Sequence, residues 1–498
     1  MGYTDFPASP IIEPGAPANA PDLFGAPDGA TAGPCMVEPE PGALLPRDWL
    51  RLRVRYVAGS AQNLFEIRIH AASQRNDLLV YTPATTWTIP ADLWDAVNQH
   101  SVDEPVTITI RGADLEGGQL SGPPSLASAG AIRLAPGDAS GTVAYWTTGT
   151  GGAGGAGALK GFRIGEETVH DVLTPAQAGV GCIGCHSSTP DGTFVAFSAN
   201  PAVVDGRPAH ADIRSVDGTV ARPSFLSPSA ATLLGRGYQQ QPVFSAAHWQ
   251  AGDHVAITTY ELGGRTELIW TDLEATSEAQ GTGWGVFART GDANQAAAPA
   301  ISHDGTRLAY TSSVFVSSGV NLDRGNGDLY VIPYGDRQGG AAAPVAGASS
   351  PSFSEHYPSF SADDALLAFT RVPAAQSSYD NPESEVFVVP SAGGAAVRLE
   401  ANQPPACGGR QSPGIANSWP KWSPRVADAG GVRYYWLTFS SRREPNGLPQ
   451  LYVAAVTVAG SAMTTYPAVY LWNQPAGESN HTPAWDELDI PIGREVPR

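Results

Sequence analysis

The chain has 498 residues, of which 42% are hydrophobic and only 15% charged, with a formal net charge of −19. That apolar content builds a sizeable core and excludes a disordered chain, while Gly 56 and Pro 43 disfavour long helices and favour short strands joined by turns. The acidic balance, with Lys160 and Lys421 as the only lysines, argues against nucleic acid or anionic lipid as partners, and no run approaches the ~18 apolar residues of a membrane span.

Residues 1–45 are rich in proline, alanine and glycine, as in Pro14-Gly15-Ala16-Pro17-Ala18, and read as an extended arm. Residues 46–136 change character. Leu50-Arg51-Leu52-Arg53-Val54-Arg55-Tyr56-Val57, Leu64-Phe65-Glu66-Ile67-Arg68-Ile69 and Val106-Thr107-Ile108-Thr109-Ile110-Arg111 alternate apolar and polar side chains. Period-2 alternation marks half-buried strands, here of a small β-sandwich. Trp87, in Thr86-Trp87-Thr88, is its expected core tryptophan. Strand spacing and this tryptophan give the segment a resemblance to fibronectin type III and immunoglobulin-like modules.

From residue 140 to 498 the sequence repeats itself. Pro299-Ala300-Ile301-Ser302-His303-Asp304-Gly305 and Pro358-Ser359-Phe360-Ser361-Ala362-Asp363-Asp364 are two copies. Others begin at Pro242, Pro420 and Pro483, and His186 takes the proline's place in the first, so the starts are 186, 242, 299, 358, 420 and 483. Each unit reads as a four-stranded blade with a tight Asp-Gly turn after its first strand. One blade cannot bury both faces, so the blades must stack around an axis. The last unit is truncated. Its missing strands stand ahead of the first full unit, at Thr142–Thr147 and Leu159–Ile164, so the two ends are expected to share the sixth blade. The predicted fold is therefore all-β: a six-bladed β-propeller closed by its N- and C-terminal segments and preceded by the sandwich. The Pro-x-aromatic-Ser-x-Asp-Gly repeat resembles the TolB-like β-propeller family. That resemblance covers residues 140–498 and implies a fold, not an activity.

Cys182-Ile183-Gly184-Cys185-His186 carries the chemistry. C-x-x-C-H is the attachment pattern of haem c: two thiols join the two vinyl groups of one porphyrin, and the adjoining histidine ligates the iron. A redox dithiol, a zinc knuckle and a chance match are the competing readings. The dithiol needs no following histidine and usually opens a helix. The knuckle needs a second ligand pair, and none follows at suitable spacing. Haem c is attached outside the cytoplasm, so the protein is expected to be periplasmic, or extracellular and outer-membrane-associated, in a bacterium. Residues 1–30 contain neither a basic n-region nor an apolar h-region. A signal leader or lipoprotein anchor is thus expected to have been removed. In that compartment Cys35 and Cys407 are expected to pair and pin the N-terminal arm to the main body.

Register places His186 at one mouth of the channel. Gly184, Gln240, Ala297, His356, Ser418 and His481 stand two residues before each repeat start and share that rim. His481 and His356 are therefore the leading candidates for the sixth iron ligand; His170, Met463, Met36 and an open position are the others. Gln240, and Arg410 in the loop after Cys407, are candidate contacts for a haem propionate. Asn321–Asp328 has oxygen ligands at alternating spacing, loosely like a calcium loop, but lacks the distal glutamate and reads as a hairpin turn. Three functions follow: an exported cytochrome passing electrons to a basic redox partner protein, a haem peroxidase or oxidoreductase with an open iron site, or a propeller scaffold with a structural or sensory haem.

Overall fold

The computed structural model describes residues 2–25, 33–126, 128–149, 157–200, 209–316 and 326–490. Six radial sheets follow one another around an axis, making a β-propeller. Blade 1 is built from Cys182–Ser188, Phe194–Asn200 and His210–Ser215. It has three strands among the described residues, where the repeat implies four. Blades 2 to 5 begin with the innermost strands Gln239–Val243, Gln295–Ile301, Phe353–Phe360 and Ser418–Trp422. Blade 6 is the predicted composite. Ser479–Asp486 is its innermost strand and pairs antiparallel with Thr142–Thr148, followed by Ala158–Arg163 and His170–Leu173.

The repeated turn has a local cause. Ser302 Oγ donates to Asp304 Oδ1 at 2.6 Å, and that oxygen also accepts from the Thr306 backbone N–H at 2.9 Å. Thr189/Asp191 and Ser361/Asp363 repeat the arrangement. The aspartate closes an Asx-type turn, and Gly305, at φ 75°, supplies the left-handed position after it. In blade 5, Ser423-Pro424-Arg425 lacks the aspartate, and the Ser423 hydroxyl donates to the Arg425 carbonyl instead, at 2.8 Å.

The N-terminal part is two facing sheets. Six strands run in the order Ile11–Ile12, Leu78–Thr82, Leu64–Ala71, Pro105–Ala113, Ser128–Leu134 and Leu44–Leu45. Cys35–Glu38, Arg53–Val57 and Thr86–Thr88 form the other. The described parts of the first 45 residues are mostly extended, with one short helix, Ala20–Phe24, and they are packed onto the sandwich. They lend short strands to both sheets and bury Phe6, Phe24, Met36 and Leu44. Strands of two to four residues are too short to show periodicity. A ten-residue helix, Ala91–His100, was also not expected; it starts after Pro90 and buries Trp94 and Val97, three positions apart on one face.

The sandwich packs against blades 5 and 6, and one apolar core runs through both parts, from Leu52 and Val54 to Trp436 and Trp485. Arg443 Nη1 donates to buried Glu40 at 2.5 Å, and Arg55 pairs with Glu444 at 2.8 Å. Cys35 and Cys407 are bonded, as expected, across 372 residues. Replacing both cysteines by serine is expected to cost about 2–5 kcal/mol of stability, read by denaturant unfolding. An unchanged midpoint would mean that the shared apolar core holds the two parts together without the disulfide.

Candidate functional site

Every innermost strand breaks register at the same place. Pairing skips between Ile183 and His186, Gln240 and Val243, Ala297 and Ala300, His356 and Ser359, and Ser418 and Lys421. Blade 6 does the same around Thr482, where His481 pairs with Trp146 and Ala484 with Ala144. The residue before each repeat proline is left-handed: Gln241 at φ 53°, Ala298 at 49°, Tyr357 at 57°, Trp419 at 61° and Thr482 at 45°. These are β-bulges, each with one extra residue on the innermost strand. Cys185 holds the equivalent place in blade 1. Cys185, Gln241, Ala298, Tyr357, Trp419 and Thr482 together line one axial cavity, and His186 lines it with them.

The bulge determines where the two thiols face. Residues three apart lie on opposite faces of a regular strand. The inserted residue shifts the phase, and Cys182 and Cys185 open on one cavity of about 220 Å³. Gln240 lines this cavity too, with Trp146, Tyr379 and Trp419 as aromatic walls. Burial pushes the Cys185 thiol up to about 11 and raises that of Cys182. Both ring nitrogens of His186 are buried without a hydrogen bond of good geometry. Burial pulls its pKa down to about 4, so the ring is neutral and free to ligate at physiological pH.

His481 stands on the wall of an adjoining cavity, also of about 220 Å³, which shares Trp146, Tyr379 and Trp419 with the first. Its ring meets Trp146 edge-on at 4.3 Å and lies 6.3 Å from Tyr379. Burial, then the nearby Arg442, holds its pKa at about 3. His356 is placed differently. It is buried edge-on to Tyr357 at 4.5 Å, and Tyr357 in turn stacks on Trp419 at 3.5 Å. His356 therefore sits behind the aromatic layer and lines neither cavity.

Arg410 is not at this mouth. It lines a groove between the sandwich and blade 5, beside Arg55 and Glu444, in the loop that Cys407 ties to Cys35. Its Nη1 donates to the Arg442 carbonyl at 3.4 Å. The calcium-like segment falls largely on residues 321–325, outside the described residues; among the described residues no three His, Cys, Asp or Glu side chains cluster as metal ligands.

Sequence reasoning missed the aromatic walls. Trp419 was readable in principle, because it holds the register position of Cys185. Trp146 and Tyr379 come from other segments, Tyr379 from a loop of blade 4, and neither carries a motif. The donor set nonetheless suits haem c: two thiols on one cavity, a neutral histidine without a hydrogen bond of good geometry beside them, and flat aromatic walls.

No protein-family model and no curated protein matches the chain. Among solved structures it is similar to TolB from Acinetobacter baumannii, at 16% identity over 80% of this chain and 85% of that one, TM-score 0.43. It is also similar to Kuenenia stuttgartiensis hydrazine synthase, at 10% identity over 69% of this chain and 46% of that one, TM-score 0.42. The propeller assignment rests on the six radial sheets themselves.

His356 makes one prediction. Its pKa is about 3 in the fold against an ordinary 6.5, so it adds stability above pH 6.5 that is lost as pH falls toward 3. His356→Gln is expected to lose stability less steeply between about pH 6.5 and 4 in thermal unfolding. An identical slope would show that His356 is not held neutral.

Proposed function

We propose that the chain is an exported mono-haem c-type cytochrome that passes single electrons. Cys182 and Cys185 would hold the haem through their sulfurs, and His186 would ligate its iron. The observation that carries this reading is the shared cavity of the two thiols, beside a histidine whose buried ring nitrogens make no hydrogen bond of good geometry. Haem c supplies a one-electron iron couple when bound. The chain's part is to fix the ligands and exclude water. Trp146, Tyr379 and Trp419 give the mouth apolar walls.

His481, a neutral histidine on the adjoining wall, would supply the second iron ligand in this reading. The Cys35–Cys407 disulfide supports an oxidising compartment, and we place the protein in the periplasm or at the outer membrane. Among the described residues no helix is long and apolar enough to cross a membrane. The fibronectin-like sandwich acts as a brace or docking surface, and the net charge of −19 favours a basic redox partner. The cavity of about 220 Å³ in front of His481 favours a second reading, a haem oxidoreductase with an open iron position and His481 as its acid–base group.

Optical spectra of protein matured with haem-attachment machinery separate the two. Electron transfer predicts a low-spin reduced spectrum that carbon monoxide leaves unchanged, and a His481→Ala variant that carbon monoxide shifts. A wild-type spectrum that is high-spin and shifted by carbon monoxide favours the oxidoreductase. Protein that retains no haem after acid–acetone extraction overturns both.

A further inference from the structure

The channel has a second mouth, opposite the thiols. One residue past each repeat start, the innermost strands send Ser187, Val243, Ala300, Ser359 and Lys421 to the wall of one cavity of about 290 Å³. Ala484 holds the sixth register position. Five of these six are short and uncharged, so the ring leaves space around a single ammonium. Lys421 also borders the axial cavity behind His186.

Lys421 is one of two lysines in the chain. The other, Lys160, is held by Glu478 at 2.8 Å. Among the described residues Lys421 has no hydrogen-bonded or ion-pair partner; the charges it senses are those of Asp486 and Cys185. The remaining charged groups at this mouth are engaged. Asp486 accepts from the Ser188 backbone N–H at 3.0 Å, Glu487 from Arg425 at 2.7 Å, and His303 is paired with Asp364 at 3.0 Å. Asp486 offsets the Lys421 charge from beyond ion-pair distance, so the ammonium keeps its donors free for a charge-assisted contact with a bound carboxylate. Trp422 and Trp485 give the cavity an apolar side.

We propose that this second mouth binds a small carboxylate with an apolar body, its carboxylate held by Lys421 and its body against Trp422 and Trp485. Nothing in this depends on what the thiols carry, so it stands or falls apart from the haem reading.

Benzoate is the probe, with benzyl alcohol as its uncharged match, added to the full chain and followed by tryptophan fluorescence and calorimetry. Saturable one-site binding of benzoate is expected, weakened about tenfold or more in Lys421→Met, the loss of one charge-assisted contact. A labelling experiment on the unaltered protein keeps the test independent of how that variant folds. Benzoate is expected to protect Lys421 from acetic anhydride and to leave Lys160 as reactive as before, read by peptide mass. Benzoate binding no tighter than benzyl alcohol, or protecting Lys421 no better than Lys160, overturns the proposal.

Discussion

One inserted residue in each innermost strand governs what the central channel presents. At the proline that follows, the missing N–H falls on a sheet edge facing the axis, where no ladder partner exists to lose it. The residue before it is left-handed, at a cost of roughly 1–2 kcal/mol for a side chain with a Cβ. Five of the six innermost strands carry that strain, and pairing of Ser479–Asp486 with Thr142–Thr148 closes the ring around them. In blade 1 the same device carries cysteine and histidine where the other blades carry a wall residue and a proline. A strand that elsewhere only lines a channel there presents two thiols and an imidazole to it.

The walls of that mouth come largely from blades 5 and 6, which the sandwich braces. Trp419 and Arg442 belong to blade 5, and Trp146 and His481 to blade 6. Behind them, Glu40 and Arg443 form a buried pair, and burial lifts the Glu40 carboxyl to about 7 even against that arginine. Buried pairs of this kind add little net stability, but breaking one leaves an uncompensated charge, so they fix how two bodies meet. Apolar packing and the disulfide supply the adhesion; the ion pairs supply the register.

Much of this was written in local patterns. Alternation in Leu64–Ile69 and Val106–Arg111 gave the sandwich strands, because one face of each is buried and a one-residue slip would expose it. The repeat and its truncated last unit gave the blade closure. The thiol pair was legible as a motif, but not its geometry, since the bulge that aligns residues 182 and 185 is a property of the ring. The rim positions were less reliable. His356 and His481 share a register, yet Tyr357 covers one and leaves the other on a cavity wall, and that difference arises from stacking on Trp419 in the next blade. Arg410 lines the groove beside Arg55 and Glu444 instead, and no local pattern in its loop marks that place. Lys421 carried no motif at all; only the small residues around the ring make it conspicuous.

The central claim is that the bulge brings Cys182 and Cys185 together for one porphyrin. Peptide mass spectrometry on protein matured with haem-attachment machinery tests it most directly. The account predicts a single peptide spanning residues 182–186 that carries one haem through both sulfurs. The same peptide found without haem, with its two cysteines free or joined to each other, would contradict it.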